Sequence, residues 1–294
     1  MALYSLDSGL LSLPASSLHS LTPSSVRCLV LIASKLSGFD QQPEFVVEVP
    51  YTTAPKMSRY TGALTQLPPN PFYIEAKQSE LALLGDELCA EQSNPQTQEL
   101  MRTASQKLGI TSQAPIHSIR DLALHLNEDV ALLQNDILTA ICFCFPSSWV
   151  PAKRLGMPLG QIHRPVADGE KLVNASPKIA HVMSDLEQGS FRRYVWTISN
   201  SPRLSQHPKH KTITIPKSVD ELYYRLETQT TLPLASPHGR ASLFLVKVEV
   251  CPLNLFWRNP QYREQIIASV DSMSSAVLEY KNLQHIRNLL FSNQ

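Results

Sequence analysis

Apolar positions in this chain follow two periods. Over residues 75–92, Leu81, Leu84 and Leu88 recur at steps of three and four, which predicts a helix, and Asn94-Pro95 stops it. Residues 26–37, 99–108 and 119–126 predict shorter helices, and residues 45–49 a short strand. A Pro-rich link, Leu67-Pro68-Pro69-Asn70-Pro71, interrupts this first part. Beyond Ser118 strands take over. Residues 130–134 and 137–145 flank Asn135-Asp136, a pair suited to a tight hairpin. The second of these strands is apolar on both faces, which predicts cover on both sides. Short turns follow over residues 146–166. A long helix is predicted over residues 169–189, with Leu172, Ile179, Val182, Met183 and Leu186 on one stripe. Three more strands are predicted over residues 191–199, 222–230 and 242–250. In the last of them Phe244, Val246, Val248 and Val250 alternate with Leu245, Lys247 and Glu249. A closing helix over residues 261–290 turns Ile266, Val270, Met273 and Val277 inward.

Five antiparallel strands with helices between the second and third predict an α+β domain over residues 117–294. Residues 1–116 read as a largely helical extension packed on it. The same element order belongs to the PAS-like fold, a five-stranded antiparallel sheet whose helices, on one side, cradle a ligand.

Composition narrows the function. A chain of 294 residues, at roughly 150 per domain, holds one large domain or two modest ones. Apolar residues are 43% and charged residues 17%, which fits a globular protein and excludes a disordered chain or a coiled coil. A net charge of +1 gives no pull toward nucleic acid or anionic lipid. Only 10 glycines are present, and neither a G-x-G-x-x-G string nor a P-loop occurs, so no flavin or nicotinamide site is marked. Five cysteines without regular spacing make a poor disulfide framework, and Cys142 and Cys144 read as buried thiols of a reducing, cytoplasmic setting. The first residues lack a basic signal region, and no run of about 18 apolar residues predicts a membrane span.

The motifs are more specific. Phe145-Pro-Ser-Ser-Trp149, Lys153-Arg-Leu-Gly156, Ile162-His-Arg-Pro-Val166, Arg193-Tyr-Val-Trp196, Arg225-Leu-Glu-Thr-Gln-Thr230 and Glu279-Tyr-Lys281 occur in order over residues 120–283. Together they resemble a family typified by the α subunit of the heme-dependent oxidative N-demethylase, a dimethylamine mono-oxygenase. The resemblance implies heme b in a PAS-like domain, oxidation of a small amine with O2, and electrons from separate reductase subunits carrying flavin and iron–sulfur centres. The chain departs from the family's pattern at Ala167, Val195 and Thr228, and Thr228 in place of a cation bears on pocket charge.

Within these motifs, His163 is the candidate axial ligand, since imidazole is a strong donor to heme iron. His181, on the long helix, lies about 200° from Ile179 and points away from the apolar stripe. On the fourth strand, period-two alternation puts Tyr223, Arg225, Glu227 and Gln229 on one face. Arg225 is the candidate donor to bound O2 and Glu227 the candidate partner of a protonated amine; the alternative is a solvated sheet face. Arg192 or Arg193 is a candidate partner of a heme propionate, the alternative being a plain surface arginine. Trp149 and Trp196 are candidate walls of the heme site, or plain core aromatics. A non-catalytic heme gas sensor and a heme-free interaction protein are the competing readings.

Overall fold

The structure, a computed structural model, describes residues 43–292 except 55, 112–114 and 211–214. The helix expected over residues 26–37 lies outside the described residues. Among those described, seven strands form one antiparallel sheet: β1 (Ser58–Tyr60), β2 (Cys89–Glu91), β3 (Asp129–Gln134), β4 (Ile137–Cys142), β5 (Ser190–Ser199), β6 (Tyr223–Leu234) and β7 (Ala241–Pro252). Their order across the sheet is β1-β5-β6-β7-β3-β4-β2. The five expected strands occupy the centre as β5-β6-β7-β3-β4. The expectation of five strands in all is corrected by β1 and β2, three-residue strands that pair with β5 and β4 at the two edges. Both come from the part of the chain before residue 117. Residues 45–49, expected as a strand, have no regular structure.

Local chemistry explains most element ends. Helix α1 (Pro71–Leu88) and helix α2 (Pro95–Leu108) both start on Asn-Pro. The Asn70 and Asn94 side chains accept from the Phe72 and Thr97 N–H groups, and each proline sits where no donor is needed. Asn94-Pro95 therefore starts a helix as well as closing the preceding segment. Helix α3 (Ile119–Ala123) opens with a capping box between Ser118 and Asp121. Asn135 and Asp136 have φ of 50° and 69°, the left-handed pair that a two-residue hairpin requires.

The sheet is covered on both faces, which corrects the expectation of helices on one side only. Helices α4 (Leu159–His163) and α5 (Glu170–Ser184) lie over the first face, which carries Phe191, Arg193, Glu227, Gln229, Thr231 and Phe244. The second face carries Trp196, Ile198, Tyr224, Leu226 and Cys251. It packs on α6 (Asn254–Trp257), α7 (Pro260–Asp271), α8 (Ser275–Tyr280) and α9 (Gln284–Ser292). Ile266, Val270, Met273 and Val277 are all buried there, as their spacing predicts. Each such side chain contributes roughly 1.5–3 kcal/mol by leaving water. The single closing helix is three helices instead: the backbone leaves the helix after Asp271, and Ser274 caps α8 by accepting from the Val277 N–H.

Cys89 and Cys142 oppose each other in the β2–β4 register and are joined by a disulfide. This corrects the expectation that Cys142 is a free thiol. Cys144 remains a buried thiol, and burial holds its pKa far above the usual range.

Candidate functional site

Strands β5 and β6 create the polar part of the site. Direct cross-strand partners share a face. The register pairs Arg193 with Gln229, Val195 with Glu227, and Thr197 with Arg225, so these side chains project from the first face together. That face is not solvated: Arg225 is 1% exposed and Gln229 9%.

Arg225 anchors the chain around it. Its Nη1 donates to the Leu204 carbonyl at 2.6 Å and its Nη2 to the Phe145 carbonyl at 2.9 Å. Nε and Nη2 also donate to Ser147 Oγ at 3.3 and 3.1 Å, and Glu227 Oε1 lies 3.7 Å from Nη2. The fork thus ties two loop segments to β6.

From Glu227 a line of hydrogen bonds runs along the sheet. Glu227 Oε1 accepts from Ser147 Oγ at 2.5 Å, and Oε2 accepts from Gln229 Nε2 at 2.9 Å. Gln229 Oε1 in turn accepts from Arg193 Nε at 2.7 Å. The Arg193 Nη groups have no hydrogen-bond partner among the described residues. Lys281, in the last motif, donates to the Trp196 carbonyl at 2.9 Å and lies 5.2 Å from the centre of the Tyr51 ring. Burial lowers its pKa to about 8, against the pull of Glu227.

Arg193 and Gln229 reach a cavity between this face and the α4–α5 layer. It has a volume of about 50 Å³ and is lined mainly by apolar side chains, among them Leu133, Leu172, Met183 and Phe244. His163, at the end of α4, lines it too. The His163 Nδ1 is hydrogen-bonded to the Leu159 carbonyl at 2.9 Å, one helical turn back. A carbonyl only accepts, so Nδ1 carries the proton and Nε2 keeps its lone pair. That Nε2 has no hydrogen-bond partner among the described residues. Burial lowers the His163 pKa, the Leu159 bond opposes this, and Arg193 adds to the lowering, so the neutral ring is favoured. A neutral imidazole held through its other nitrogen by a carbonyl is the usual state of a metal-ligating histidine.

The structure gathers the expected site residues only in part. His163 and Arg193 line the cavity. Arg225 and Glu227 do not, although Glu227 connects to it through Gln229. Trp149 lies along a separate open concavity with Lys153 and Arg154, edge-on to Phe143. Trp196 is on the second face, 4% exposed and stacked on Tyr224, because alternation turns it away from Arg193. Neither tryptophan walls the cavity. His181 is exposed, as its angle on the helix predicts. Thr228 also lies on the second face, opposite Tyr194, so this departure from the motif does not change the charge of the cavity. Val195, another departure, stands beside Glu227. Alternation groups Gln229 with Arg225 and Glu227, but its contact with Arg193 depends on a strand register that no local pattern reveals.

Among the described residues, no group of three or more His, Cys, Asp or Glu side chains is placed to hold a metal ion, and no helix is long and apolar enough to cross a membrane. A family model described as haem-dependent oxidative N-demethylase, alpha subunit-like, matches residues 72–291. Among curated proteins, none matches the chain.

Proposed function

This chain belongs to the haem-dependent oxidative N-demethylase alpha-subunit-like family, and from that premise we propose that it is the heme-binding subunit of a mono-oxygenase acting on a small amine. His163 carries this reading: an imidazole with a lone pair that has no partner among the described residues lines an apolar cavity against the sheet. The donor set fits a heme held by one protein nitrogen, and the lining is apolar as a macrocycle requires; at about 50 Å³ the cavity must widen to take one. The central strand order β5-β6-β7-β3-β4, with the cavity between sheet and helices, supports the PAS-like description.

Heme, when bound, supplies the activation of dioxygen needed to oxidise an N-methyl group. The residues of this chain do the rest. His163, on α4, would hold the iron. The apolar side chains keep water out and strengthen every charge inside. Arg193, which lines the cavity beside Arg192, would offer its guanidinium to an acceptor there such as a propionate. Glu227, half-buried next to that guanidinium's partner, balances its charge and is the group suited to a protonated amine. Arg225 fixes the loop segments that frame Glu227. Electrons come from separate reductase subunits with flavin and iron–sulfur centres.

The test is an absorption spectrum. The purified protein, supplied with heme, is expected to show a Soret band that shifts when a small secondary amine is added. In His163→Ala the band is expected to weaken or move, and free imidazole to restore it. A variant with the parent spectrum and full heme content would defeat the assignment of His163.

A further inference from the structure

The Arg193–Gln229 pair points to a role that the motif residues Arg225 and Glu227 do not fill. Arg225 has both amino groups on backbone carbonyls, so it has little left to offer a ligand. Arg193 uses only Nε within the described protein, on Gln229. Arg193 lines the apolar cavity; Arg192 lines it too, but its Nε donates to Thr230 Oγ1 and its guanidinium stacks on the Tyr60 ring. His163 enters that cavity from α4, whereas Arg193 and Gln229 enter from the sheet. A ligand between the layers therefore meets the imidazole from one side and the guanidinium from the other.

We infer that Arg193 is the hydrogen-bond donor to a diatomic molecule or small anion bound in this cavity on the sheet side, and that Gln229 is the residue that positions it. The inference rests on the heme reading above. An arginine side chain has several rotatable bonds, and one anchored Nε restricts most of them. Gln229 is itself held by Glu227, and Glu227 by Ser147, so the anchor is braced over three successive side chains. The carboxylate at the far end balances the cation without touching the ligand. A charged donor in a site poor in water stabilises negative charge on a bound oxygen or anion far more than it would in bulk solvent.

The experiment uses the full chain loaded with heme. The ferrous protein is bound to carbon monoxide and the C–O stretch read by infrared spectroscopy; the ferric protein is titrated with azide and followed at the Soret band. A positive donor near the ligand draws electron density onto it and lowers the C–O stretching frequency. Arg193→Gln is expected to raise that frequency and to weaken azide about tenfold, the size expected for one charge-assisted hydrogen bond. Gln229→Leu, which keeps the guanidinium but removes its anchor, is expected to broaden the band and shift it part of the way. The unliganded spectrum should stay that of the parent in Gln229→Leu, which covers the case in which Arg193→Gln folds poorly. Parent-like C–O frequency and azide affinity in both variants would overturn the inference while leaving His163 as ligand intact. A protein with no Soret band after heme is supplied would overturn the heme reading, and this inference with it.

Discussion

The carboxylate of Asp129 holds the backbone at Phe145. Its Oδ2 accepts from the Phe145 N–H at 2.9 Å, and its Oδ1 from the Cys144 N–H at the same distance. The Phe145 carbonyl then accepts from Arg225, so β3, β6 and the segment after β4 are joined through one residue.

Asp129 titrates in an unusual range because of this placement. Burial raises its pKa from 3.8 to about 6, against the opposing effects of Lys77, the two backbone donors and Arg225. The folded state therefore holds this proton where the unfolded state has lost it. Stability contributed by the group is fully present below about pH 4 and is lost as pH rises through about 6. Asp129→Asn removes this dependence and leaves a buried N–H without its acceptor, a cost of about 1–3 kcal/mol. Urea unfolding of both proteins near pH 4 and near pH 7 should find the substitution more costly at the lower pH. Equal costs would contradict the assignment.

Arg225 is expected to behave as a structural fastening. Arg225→Met leaves the Phe145 and Leu204 carbonyls and Glu227 without their cation, and breaking a buried arrangement of this kind costs about 3–5 kcal/mol. The free energy of urea unfolding should fall by that amount. A variant as stable as the parent, with only turnover reduced, would instead assign Arg225 to the chemistry.

The Cys89–Cys142 bond closes a loop with a sequence separation of 53. Limiting the unfolded chain in this way is worth about 4 kcal/mol on a chain-entropy estimate. Reductant should therefore lower the urea midpoint of the parent and leave that of Cys89→Ala unchanged. An identical response in the two proteins would exclude the bond as a stabilising feature.

His163 should titrate below its ordinary value of 6.5, because burial and Arg193 both disfavour the imidazolium. In the heme-free protein the ring can be followed by NMR. Its midpoint is expected below 6.5 in the parent and closer to 6.5 in Arg193→Gln. A midpoint above 6.5 in the parent would mean that the ring faces solvent or a carboxylate.

Much of the fold is legible along the chain. The alternation of Phe244, Val246, Val248 and Val250 marks β7, and the apolar run after Asn135-Asp136 marks a strand buried on both sides. The edge strands β1 and β2 leave no trace, since three residues are too few to carry a period. The break between α7 and α8 is hidden because Ile266, Val270, Met273 and Val277 keep helical spacing across it. Within the site, the angle of His181 on α5 and the placement of Arg225, Glu227 and Gln229 on one face can both be read locally.

The sequence by itself determined the five central strands, the main helices and most of their inward faces, because turn residues and hydrophobic periods act over a few positions; His163 as the ligating candidate came from the motif it lies in. The tertiary structure alone decided that Arg225 grips carbonyls 80 and 21 positions away and that Gln229 meets Arg193 across 36 positions. The physical reason is that hydrogen-bond partners of buried polar groups are chosen by strand register and by which loops cover the sheet. Those are pairings between distant segments, and each is set by burial summed over the whole core rather than by any neighbouring residue.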